Sequence, residues 1–150
     1  MKRIVTAAVL LALSLAEPVR AQADAQVRLW MAMKRELTGL NGAEYFETGV
    51  RDAALPRLAG TLVSAFINAG ISRVILKMVG SEEPDVTLIV HNGTAKVKEE
   101  PKPGTRIEFS GVAREFNKRP FMLTIHVEFA GISGLEFIKP TAKRGGPPAH

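Results

Sequence analysis

Arg114, Phe116, Lys118, Arg119 and Phe121 interleave three cations with two rings around Pro120. Single-stranded nucleic-acid binders combine such parts, stacking bases on rings while cations follow phosphates. Arg114, Phe116, Lys118 and Arg119 are therefore the candidate ligand contacts. The competing reading is a solvated hairpin tip. Phe121 opens an apolar alternation and so faces a core, Phe116 packs under the turn, and Lys118 and Arg119 keep the tip soluble. A modest net charge and expected export, to where nucleic acid is scarce, favour the turn and argue against a nucleic-acid partner.

Other chemistry is sparse. The three histidines are His91, His126 and the terminal His150. His126 and Glu128 share a strand face, but two ligands on one strand are too few for a metal, and no HExxH pairing exists. No metal site and no cofactor are expected. Gly131-Ile132-Ser133-Gly134 lacks the spacing of a nucleophile elbow. Glu82-Glu83 and Glu99-Glu100 fall in Pro-containing turns, where adjacent acids serve solvation, since catalytic carboxylates need burial to shift their pKa. Cysteine is absent, which removes thiol nucleophiles and thiolate metal ligands. No catalytic residue is assigned, and an enzyme is not expected.

The chain has 150 residues, a length that predicts one domain. Lys2 and Arg3 precede the uncharged run Ile4 to Ala16, and Ala21-Gln22-Ala23 offers small residues for signal peptidase. The run is short for a membrane span, which needs about 20 apolar residues. Residues 1–23 are read as a signal peptide cut after Ala21 or Ala23, leaving no membrane anchor and a periplasmic or secreted product. That segment carries three basic residues and one acidic, so the remainder holds 17 against 14, a net charge of +3. A dedicated polyanion binder carries more.

The elements that must position these residues follow from periodicity. Between Asp24 and Leu40 the apolar residues Val27, Trp30, Met31, Leu37 and Leu40 recur at helical spacing. Asn41 and Glu44 stand at capping-box spacing before a second short helix through Tyr45, Phe46 and Val50. After Pro56 the period becomes two. Strands are predicted around Leu58–Ser64, Ser72–Met78, Val86–Val90, Arg106–Ala113 and Phe121–Phe129. Lys96 to Pro103 reads as a loop because Pro101 and Pro103 cannot donate to a ladder. The tail 139–150 has no apolar pattern and is expected to be disordered.

Five strands joined by turns predict a mainly β domain with N-terminal helices, built as a five-stranded antiparallel barrel, with a small β-sandwich as the alternative. The expected units are the signal 1–23, a helical segment 24–55, the barrel 56–138 and the tail. Gly60 and Gly111, inside strands, favour the bends that a barrel requires. Over Leu58 to Leu135 the chain resembles an OB-fold. The likeness rests on LAGTLVS with its internal glycine, on GTRIEFSGVARE, and on FMLTIHVEFAGI. In size and export signal it is also similar to small periplasmic bacterial OB-fold proteins, and EFNKRPFMLTIHVE is similar to uncharacterised secreted bacterial modules. The resemblance implies a binding module that engages oligonucleotides, oligosaccharides or proteins over strands two and three and the loops beside them, without choosing among these; the expected role is a noncatalytic module for protein or an envelope polymer, with the basic rim as its contact surface. An alternative is an oligomerisation or accessory domain docking through helix 24–40. Oligonucleotide binding at the 114–121 hairpin ranks below both.

Overall fold

The computed structural model describes residues 2–138, with side chains from 20 onward; the tail 139–150 lies outside the described residues. Helix α1 runs Lys2–Thr38, followed by α2 (Gly42–Tyr45) and one π-helical turn, Phe46–Val50. The helix continues unbroken through Ala21–Ala23, so backbone conformation does not mark the expected cleavage point. No helix among the described residues is long and apolar enough to cross a membrane.

The rest is mainly β: β1 (Leu58–Phe66), β2 (Gly70–Met78), β3 (Val86–Gly93), β4 (Lys96–Val97), β5 (Arg106–Phe109), β6 (Val112–Lys118), β7 (Phe121–Glu128), β8 (Ile132–Ser133) and β9 (Phe137–Ile138). Seven of these form one mixed sheet in the order β6-β7-β3-β2-β1-β5-β8, and β4 pairs with β9.

Two expectations are corrected here. The antiparallel arrangement fails at β3 and β7, which pair in parallel from Val86↔Leu123 to His91↔Glu128. The count of five fails because the fourth predicted run splits at Ser110-Gly111 into β5, which pairs with β1, and β6, which pairs with β7. Gly111 causes the split: a Cβ there would run into the carbonyl oxygen of His126, so only glycine lets the chain cross so near β7. The segment after β7 adds β8 against β5, and the expected loop at Lys96 starts with the two-residue β4. No ladder among the described residues joins β6 to β8, so the sheet is not a closed ring. The sandwich alternative lacks a facing sheet of comparable size, since the other pairing is only β4 with β9.

One face of every long strand feeds one interior. Leu58 and Leu62 of β1, Val74 and Leu76 of β2, Val86, Leu88 and Val90 of β3, Ile107 and Phe109 of β5, and Leu123, Ile125 and Val127 of β7 belong to a single buried cluster. Each such side chain contributes roughly 1.5–3 kcal/mol by leaving water. A bulge between Leu62 and Ser64 turns β1 and brings Ala65 against the same cluster.

The helical layer covers this interior. Trp30, Met33 and Leu37, spaced i, i+3, i+7, are buried, whereas Met31 is 49 % exposed and Leu40 fully exposed. The apolar stripe thus includes Met33 in place of the expected Met31. Asn41 makes no side-chain cap hydrogen bond, which corrects the predicted capping box; its carbonyl accepts from Tyr45 N–H instead. Gly42 is needed because a Cβ would collide with the Leu37 carbonyl. Residues 52–55 then run beside β6, with Asp52 N–H donating to Ala113 O and Leu55 N–H to Gly111 O.

Candidate ligand-binding surface

The β6–β7 hairpin carries the four sequence-predicted contacts, and the helical layer with the turn that follows it engages three of them. Phe116 lies against Phe46 with ring centroids 4.9 Å apart. Lys118 Nζ donates to the Gly39 carbonyl at 2.7 Å, a favourable position for a cation just past the C-terminus of α1. Arg114 donates to the Asp52 carboxylate at 2.6 Å. Arg119 is exposed, next to a cis Arg119-Pro120 bond. Phe121 meets Trp30 edge-on at 6.2 Å, and Lys34 Nζ lies 5.2 Å from the Phe121 ring centre. Rings and cations that read as a stacking platform are the seat of the helices.

Lys34 has a second partner. It donates to the Asp85 carboxylate at 3.0 Å, and that buried group also accepts from Met78 N–H at 2.8 Å and from the Ser81 hydroxyl. By alternation with Val86, Leu88 and Val90, Asp85 falls on the polar side of its strand, yet it is 2 % exposed. It anchors the β2–β3 turn to α1. At the opposite end of the strands, Ser72 and Asn92 are buried and mutually bonded, Ser72 Oγ donating to Asn92 Oδ1 at 3.1 Å. Asn92 Nδ2 donates to Ala95 O and Asn68 O.

The outer face of β1, β2, β3 and β7 has a different character. Register sets Phe66 beside Arg73, Arg73 beside Ile89, and Ile89 beside His126. A second row runs Ile71, His91, Glu128. Phe66 is 58 % and Ile71 53 % exposed, and Arg73 is exposed beside them. Neither Arg73 nor Lys77 forms an ion pair among the described residues. The signal for this surface was present in the period-two pattern of residues 70–78, obscured because the polar Ser72 sits on the core face. Nothing local to either strand signalled that His91 Nε2 and His126 Nδ1 stand 3.0 Å apart.

Electrostatics at this face has one resolved consequence. Partial burial holds His126 below its ordinary pKa near 6.5, helped by the charges of His91 and Arg114 and opposed by Glu115. The unfolded chain therefore takes up a proton more readily than the folded strand. This contribution to stability is intact above pH ~6.5, declines as pH falls through that value, and levels off below the folded pKa. Urea denaturation between about pH 8 and about pH 5, with chelator present, is expected to show this decline, flattened in His126→Gln. An equal slope in the variant would contradict the assignment. At the far edge, hydrogen bonding from Arg57 is the chief cause that lowers the Glu108 pKa, against a partial desolvation penalty and aided by Arg106.

No protein-family model and no curated protein sequence matches the chain.

Proposed function

We propose that the chain is a noncatalytic binding module, exported to the periplasm or beyond, that takes a protein or envelope polymer across the outer face of β1, β2 and β3. One observation carries this reading: Arg73 and Lys77 have no acidic partner among the described residues, and Arg73 stands beside the exposed Phe66 and Ile71. Exposed apolar side chains next to uncompensated cations suit an extended ligand with acidic groups and apolar contacts. The hairpin cations are a poorer surface, because Arg114 and Lys118 already have partners.

An OB-like barrel is the fold reading that accompanies this function. Its support is that β5 and β6 are consecutive halves of one segment, interrupted at Ser110-Gly111, with one half on β1 and the other on β7. Counted as one strand, they put five strands in the ring order of an OB barrel, with the parallel β3–β7 pair inside it. Export rests on the N-terminal sequence pattern.

The test is capture from envelope extract by the chain lacking residues 1–23. Arg73→Glu with Lys77→Glu is expected to lose at least about tenfold of the partner retained by the wild type, and that retention should fall steeply with salt. Arg119→Glu should retain it. Loss in Arg119→Glu with retention in the double variant would return the contact surface to the hairpin tip.

A second reading has its own observation. Leu29 and Met31 of α1 and Leu40 just beyond it are exposed, which suits docking between copies. Sedimentation should then report an oligomer indifferent to salt and disrupted by Leu29→Glu with Met31→Glu.

A further inference from the structure

We propose that His91 and His126 together form a two-imidazole chelate for a divalent transition metal ion, with Cu2+ the best fit. Along the sequence His126 has only Glu128 on its own strand face as a companion ligand. The parallel pairing of β3 with β7 changes the ligand set by bringing in a residue 35 positions away, with His91 Nε2 3.0 Å from His126 Nδ1. Both nitrogens are at ring edges on the outer face of the sheet, and the rings are tilted by 31° with centroids 5.1 Å apart.

Affinity more than separation chooses the metal. Two nitrogens bonded at about 2.0 Å to one ion stand about 2.8 Å apart when the angle between them is a right angle, and about 3.3 Å apart at the tetrahedral angle. His91 Nε2 and His126 Nδ1 face each other at 3.0 Å, between the two values, so the rings turn to aim at a common ion, and Cu2+ is chosen because it binds imidazole most tightly of the divalent first-row ions. Metal entry replaces the hydrogen bond between the rings. In the neutral pair the proton between them moves to the far nitrogen of the ring that carries it, and none is released.

The surroundings allow entry and limit affinity. His91 and Glu128 line the same open recess of about 510 Å³, so solvent reaches His91, and His126 beside it is half-buried. Glu128 is opposite His91 in the ladder, yet no group of three or more His, Asp or Glu among the described residues is poised around one ion. The remaining coordination positions fall to water. Of the charged neighbours, Arg114 opposes a cation at His126 and Glu115 favours it; Arg114 is itself paired with Asp52.

Cu2+ titration of the chain lacking residues 1–23, without a histidine tag, tests the site. Calorimetry is expected to give one Cu2+ per chain, with electron paramagnetic resonance showing two equivalent-type nitrogen ligands. His91→Gln and His126→Gln should each weaken binding at least tenfold, and Zn2+ should bind more weakly than Cu2+ to the wild type. His150→Gln, removing the third histidine of the chain, should leave binding unchanged. Stoichiometric binding that survives either strand substitution, or a resonance spectrum of the wild type with fewer than two nitrogens, would overturn the proposal. The spectrum needs no variant, so it decides the matter even if a substitution disturbs folding.

Discussion

Trp30→Ala is expected to lower the unfolding free energy by about 3–5 kcal/mol, a large share of the 5–15 kcal/mol typical of a single domain. The indole is 2 % exposed, meets Phe121 edge-on, and belongs to the same cluster as Leu58 and Met78. Its removal opens a cavity where helix meets sheet, and a cavity that cannot collapse adds to the lost transfer energy. The buried indole N–H finds no hydrogen-bond acceptor. Trp30→Phe therefore removes an unpaired donor along with some volume, and its cost is expected below about 1.5 kcal/mol. Chemical denaturation of the two variants checks the contrast. Equal losses would mean that the ring's size contributes little at this seat.

Asp85→Ala carries the second large effect, about 2–4 kcal/mol. One buried carboxylate accepts from the Met78 amide, the Ser81 hydroxyl and the Lys34 ammonium. Alanine strands the amide inside the fold and detaches the β2–β3 turn from α1. Lys34 is 31 % exposed on its side chain and can rehydrate, so Lys34→Met should cost only about 1 kcal/mol. The double variant isolates their coupling. If Asp85→Ala cost no more than Lys34→Met, the amide and hydroxyl bonds would not be contributing.

Local pattern announced faces but not partners. The alternation Leu123, Ile125, Val127 was readable because period two puts every second side chain on one side of a strand, and all three are buried. Val86, Leu88 and Val90 followed the same rule. The helix was readable in extent near residues 24–38 and in its anchors Trp30 and Leu37, whereas Met31 and Met33 flank the apolar face and only the docked geometry chooses between them. Asp85 reads as a polar strand residue, because its bonds to Met78 and Ser81 form only when the β2–β3 turn closes and Lys34 comes from 51 residues away. The parallel β3–β7 pair was hidden for a related reason: the segment between them carries β4, β5 and β6, and nothing in its composition fixes where it returns.

The candidate site was legible in residue type and misleading in context. Phe116, Lys118 and Phe121 have the chemistry of a nucleic-acid platform, and Phe46, Gly39 and Trp30 are the groups they meet. The solvated-turn reading rests on net charge, expected export and the alternation that begins at Phe121, and the helices are a separate partner for these side chains that the hairpin's own sequence does not show. Arg73 drew less notice because its strand alternates imperfectly, Ser72 having taken a core position to bond Asn92.

The account depends on helix α1 lying on the sheet of its own chain, closing the interior and engaging the hairpin. Trp30 is the sole tryptophan, so its fluorescence reports that contact directly. In the chain lacking residues 1–23, emission is expected at the short wavelengths of a buried indole, at concentrations where sedimentation shows a monomer. It should shift to long wavelength in urea together with loss of the β circular-dichroism signal. Solvent-exposed emission from the folded monomer, or a short-wavelength signal that appears only on oligomerisation, would contradict the account.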